Sequence, residues 1–80
     1  MSMTATTEVD LGTGRYELRT VSDDGIRVWV DGELVVDDWT HHGPTSHDRT
    51  LKLTKGRHTI RVEHFELTGW AVLRVTLVRL

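Results

Sequence analysis

Asp23 and Asp24 are adjacent carboxylates followed by a glycine, in the run Ser-Asp-Asp-Gly, and they stand where one β-prone run ends and another begins. Paired carboxylates at such a corner offer hard oxygen donors. The same residues are also ordinary turn chemistry, because aspartate side chains bond nearby backbone amides and glycine takes positive φ. The residues alone leave both readings open. His41, His42 and His47 form a second constellation, since imidazole suits zinc, copper or nickel. Their spacing matches no standard zinc motif, the chain has no cysteine, and Gly43-Pro44 intervenes, so a solvated loop is the better reading. His58 and His64 share a face with Ile60 and Val62, which predicts packing or hydrogen bonding rather than catalysis.

The elements that must position these residues are short and β-like. Ile26 to Val30 alternate with period two, Glu33 to Val36 form a second β-prone run, and Asp31-Gly32 between them predicts a hairpin with a type I′ turn. Arg15 to Ser22 alternates Tyr16, Leu18 and Thr20 against charged residues, which predicts a half-buried strand. Met1 to Asp10 reads as a weak edge strand or a tail. Asp38 to His47 holds the only proline and reads as a loop. Arg49 to Thr54 and Arg57 to Phe65 flank Lys55-Gly56, for which a second hairpin is the natural expectation. Trp70 to Leu80, with Ala71, Leu73, Val75 and Leu77 on one face, closes the chain. No segment has a helical period, so about seven short strands predict an all-β meander, antiparallel β-sandwich or partial barrel.

With 80 residues, 38% apolar and 28% charged, the chain makes one small domain, residues 1–80, with one core at most. The formal charge of −2 is mixed along the sequence, which gives no nucleic-acid or membrane-surface footprint. No run is apolar enough for a membrane span or a signal peptide, so any secretion signal is expected outside these residues. There is no nucleophile elbow, no phosphate loop and no spacing that singles out an acid/base pair. The expectation is a protein that is not an enzyme.

The run GRYELRTVSDDGIRVWVDGELVVDDW, continued by GRHTIRVEHFELTGWAVLRV, resembles the PA14 domain family from Gly14 to about Thr76. The resemblance implies a β-sandwich found in toxins, glycosidases, proteases and surface adhesins, accessory to any catalytic domain beside it. It also implies an extracellular or cell-surface location. In the sugar-binding members the aspartates matching Asp23 and Asp24 are joined by a cis peptide and bind one calcium ion. By that pattern further ligands come from the loop before the last strand, here Glu66, Thr68 and Trp70. Glu66 stands where the adhesins have asparagine, a departure that adds a charge. Trp70 would offer a flat apolar face to a sugar ring, with packing as its alternative role. Trp29 and Trp39 are expected to pack.

Two functions follow from this resemblance. One is a calcium-dependent carbohydrate-binding or adhesion module whose partner is a glycan or surface polysaccharide, with Asp23, Asp24 and Trp70 contacting the ligand. The other is a structural module without sugar binding. Family members usually carry additional N-terminal strands, and an open sheet edge in their absence would favour a homo-oligomer or docking to a host multidomain protein.

Overall fold

The computed structural model describes residues 2–39, 45–65 and 73–80. Seven strands run in chain order as β1 (Ser2–Leu11), β2 (Gly14–Ser22), β3 (Ile26–Val30), β4 (Glu33–Asp38), β5 (Thr45–Leu53), β6 (Gly56–Phe65) and β7 (Leu73–Arg79). They form two antiparallel sheets, one ordered β1-β6-β3-β4 and the other β5-β2-β7. The fold is therefore an all-β, two-sheet sandwich.

Period-two alternation is what makes it close. In β2, Tyr16, Leu18, Thr20 and Ser22 are buried while the residues between them lie toward solvent, and in β3 Ile26, Val28 and Val30 are buried in the same way. Successive side chains of a strand point to opposite faces, so each strand offers one apolar face to the space between the sheets. Leu18, Ile26, Val28, Val30, Val36 and Ile60 form the centre of the core there. The outer face of the first sheet carries exposed ion pairs, Arg27–Asp37 at 3.2 Å, Arg57–Glu8 at 3.3 Å and Arg61–Glu63 at 3.0 Å. Trp29 lies on that outer face under the Arg61 guanidinium, 5.3 Å from the ring centroid, and so packs as a cover.

Asp31 and Gly32 take φ of 52° and 81°, the two positive values a type I′ turn requires. Farther along this hairpin the register slips between Val28 and Trp29, which pair with Val36 and Leu34. This bulge at Val35 brings Val36, 1% exposed, to the inner face that unbroken pairing would have assigned to Val35.

Two expectations need correction. Residues 49–54 and 57–65 do not form a hairpin: β5 pairs with β2, β6 pairs with β1 and β3, and the turn at Lys55-Gly56 carries the chain from one sheet to the other. A hairpin and such an arch bury the same alternate residues, so the pattern does not distinguish them. The second concerns the loop predicted over residues 38–47. β5 starts at Thr45, because β2 pairs along its whole length from Ser22–Thr45 to Gly14–Leu53, and His47 is a strand residue. His41 and His42 lie outside the described residues.

The arches are pinned at one end of the sandwich. Tyr16 Oη donates to the Gly12 carbonyl at 2.6 Å, and the Lys55 amide donates to Thr13 Oγ1 at 2.8 Å. At the same end His58, 7% exposed, donates from Nδ1 to Asp31 Oδ2 and from Nε2 to the Thr54 carbonyl, both at 2.6 Å. Two acceptors on two ring nitrogens require the doubly protonated imidazolium.

The Asp31 carboxylate, then the Thr54 carbonyl, hold the His58 proton above the ordinary histidine range. Reciprocally, His58 and the Thr59 amide hold Asp31 below the ordinary carboxylate range. A raised histidine stabilises fully below its unfolded value of about 6.5 and loses this as pH rises through the folded value. A depressed aspartate stabilises above about 3.9 and loses this as pH falls through its folded value. The pair therefore stabilises most between about pH 4 and 6.5. Melting temperatures from pH 6 to 9 should fall more steeply for the wild type than for His58→Gln. Parallel pH profiles of the two proteins would refute this latch.

Candidate functional site

At the opposite end of β3 from His58 lies the Asp23-Asp24 corner, where β2 hands over to β3. Ser22 and Asp24 are both 0% exposed, and Asp23 is half-buried. Asp24 takes φ of 64°, a left-handed conformation that aspartate tolerates better than most side chains. The peptide joining Asp23 and Asp24 is trans. Between residues of an extended strand the side chains would diverge to opposite faces, and the left-handed turn at Asp24 breaks that alternation.

β6 holds the corner in place. His64, 3% exposed, donates from Nε2 to the Asp23 carbonyl at 2.8 Å, and the Phe65 amide donates to the Gly25 carbonyl at 3.0 Å. Ser22 Oγ lies 3.4 Å from the Asp24 carbonyl, a long contact within the same turn. Burying this many polar groups is costly unless they are bonded, and the backbone of both aspartates is tied to its surroundings in this way.

Gly25 is required for a reason other than the one its sequence context suggests. The turn reading assigned positive φ to the glycine, but that conformation belongs to Asp24. A Cβ built on Gly25 would lie 2.0 Å from Phe65 Cε1 and 2.5 Å from Cδ1. The Phe65 ring occupies the space a side chain would need. Trp39 meets Phe65 edge to face, with centroids 4.7 Å apart, and carries the Arg27 guanidinium at 4.5 Å. A ring with Phe65 and Arg27 both packed against it acts as a plug, the role expected of Trp39. Beyond it, His47 Nε2 and Asp38 Oδ2 are 2.8 Å apart and join β5 to β4 across the two sheets.

Of the residues singled out for the ion, Asp23 and Asp24 are together at this corner. Glu66, Thr68 and Trp70 lie outside the described residues, in the segment that follows Phe65. Among the described residues no group of three or more His, Cys, Asp or Glu could hold a metal ion. The two aspartates are thus part of a shell at most, since calcium takes six to eight oxygens. Sequence reasoning passed over His64 and Phe65 as parts of the corner. Their signal was the alternation of β6, which sets His64 inward, but only the pairing of Ile26 with His64 brings it to Asp23. A groove of about 860 Å³ lies elsewhere, at the His58 end, lined among others by Val35 of β4 and Leu51 of β5.

Fold and corner together define a small antiparallel sandwich module with an acidic turn at one end of its core. The chain belongs to the PA14 domain family, whose model matches residues 2–80. It is 38% identical over 52 residues to the anti-sigma-I factor RsgI3 of Acetivibrio thermocellus, a match covering 64% of this chain and 8% of that protein. Among solved structures, an anti-sigma factor domain-containing protein superposes with a TM-score of 0.88 at 30% identity, over 98% of this chain and 28% of the other. The PA14 domain of the antifreeze protein MpAFP gives 0.86 at 18% identity, over 98% and 43%. A β-glucosidase from Kluyveromyces marxianus, solved in complex with glucose, gives 0.84 at 18%, over 99% and 10%. The last two show a shared fold alone. The chain spans less than half the length of each of these proteins. No helix among the described residues is long and apolar enough to cross a membrane.

Proposed function

We propose that this chain is a non-catalytic carbohydrate-binding or adhesion module that works outside the cell or at its surface, with calcium held at the Asp23-Asp24 corner. The observation that carries the reading is Asp24, a carboxylate with 0% exposure on a left-handed turn beside a second aspartate. Hard carboxylate oxygens fit calcium chemically, with the remaining ligands to come from Glu66 and from Thr68 and Trp70. Bound there, calcium would coordinate vicinal sugar hydroxyls. The chain's own part is to hold the turn: His64 fixes the Asp23 carbonyl, and Phe65 over Gly25 fixes the path of the strand that follows. Membership of the PA14 family over residues 2–80 supports the reading of an accessory module.

A thermal melt of metal-stripped protein with and without millimolar calcium, using magnesium as control, tests the ion. Calcium at about 100 times its dissociation constant adds roughly 2.7 kcal/mol, which raises the midpoint by about 10–20 °C in a domain this small. Asp24→Asn should abolish the calcium-specific shift and, in a glycan screen, the sugar binding. No shift in the wild type would refute the ion site, and sugar binding retained by Asp24→Asn would refute its role in recognition.

A further inference from the structure

Among the described residues β1 is an edge of the first sheet, and its pairing with β6 is unbroken from Ser2–Phe65 to Leu11–Gly56. Folded proteins blunt such an edge with charge, proline, a bulge or a covering segment. From Ser2 to Thr7 this strand has no charged residue, no proline and no bulge, and all six residues are exposed. On this side the opposing sheet ends in β7. Ala5 and Thr7, with Ile60, Val62, Val75 and Leu77, line an open apolar groove of about 210 Å³ along this side. Met3, on the same inner face, is 45% exposed.

We propose that β1 is a homodimerisation edge, pairing antiparallel with β1 of a second copy about a two-fold axis at Thr6, so that the first sheet continues from one molecule into the next. The distribution of charge along β1 favours the antiparallel orientation of the second copy. β1 carries only Glu8 and Asp10, both in its second half. Parallel pairing in register would set Glu8 against Glu8 and Asp10 against Asp10, which is destabilising. Antiparallel pairing about Thr6 sets Glu8 against Thr4 and Asp10 against Ser2. Residues directly opposite must share a face, and this register meets that condition, with Ala5 against Thr7 and exposed Met3 against half-buried Val9 on the inner side. An isologous contact of this kind closes at two copies.

The test is mass in solution over a concentration series, with and without chelator, since the dimer does not depend on the ion. Twice the mass of one chain is expected at high concentration, reverting to one in Ala5→Lys, where a charge enters the open groove; far-UV circular dichroism should be unchanged. The chain has no cysteine, so Thr6→Cys supplies a lone thiol at the axis. Two such thiols meet in the dimer at an effective concentration in the mM range, so at about 10 micromolar protein, with dissolved oxygen as the two-electron oxidant (reduced to hydrogen peroxide) and the dimer populated, the disulfide should form on the order of a hundredfold faster than in Thr50→Cys, on the far edge. A single-chain mass at every concentration refutes the proposal, as does cross-linking of Thr6→Cys no faster than that of Thr50→Cys. Mass that grows without limit also refutes it, being the mark of β1 docking head to tail on β7.

Discussion

Gly25→Ala is expected to lower the melting temperature by about 5–20 °C. The added Cβ would meet three atoms of the Phe65 ring at 2.0–2.8 Å, inside any tolerated contact. Relief requires the ring to move, yet it is held by Trp39 on one side and by the Phe65–Gly25 backbone bond on the other. Overpacking of this kind costs about 1–3 kcal/mol, and each kcal/mol moves the midpoint of so small a domain by roughly 4–8 °C. The displaced strand end carries His64, so any calcium-dependent stabilisation should weaken in the same variant. Coupling distinguishes this clash from a generic glycine effect. In the double variant Gly25→Ala/Phe65→Leu the loss should be smaller than the sum of the two single losses. Strict additivity would mean that Phe65 is not what requires glycine at position 25.

Leu18→Ala should cost more, about 2–5 kcal/mol. Leu18 is 0% exposed at the middle of β2, the central strand of its sheet, and belongs to one buried cluster with Val28 and Ile60 of the opposing sheet. A domain of this length has about 4–12 kcal/mol of total stability, so the variant stands near its folding threshold, with a midpoint lowered by roughly 8–40 °C. Leu34→Ala is the matched control. Leu34 is 43% exposed on the outer face of the hairpin, and its truncation should change stability by no more than about 0.5 kcal/mol. Urea unfolding of the two variants makes the comparison directly. A loss under 1 kcal/mol for Leu18→Ala would mean that the two sheets do not share one close-packed core.

Much of this architecture was legible in the residue order, because a period-two pattern states which side chains face inward. The inward set of β2, β3 and β6, the type I′ turn at Asp31-Gly32 and the inward placement of His58 and His64 all follow from alternation and turn chemistry, which are local. The resemblance carried by SDDG and its flanking strands led in the same way to the sandwich and to the aspartate corner. Alternation does not say which strand lies beside which. The turn at Lys55-Gly56 could close a hairpin or arch across the sandwich with the same residues buried, and only the pairing of β5 with β2 decides for the arch. Nor does it foresee an extra residue: the bulge at Val35 exchanged that residue for Val36 at the inner face. The bonds joining Asp31 to His58 and Asp23 to His64 cross 27 and 41 residues of sequence. Gly25 shows the limit most plainly, since its neighbours suggested a turn glycine and its constraint is a ring from the far end of β6. Local sequence determines faces and turns; contact between distant faces is decided by the packing that minimises exposed apolar surface over the whole chain, which no short window contains.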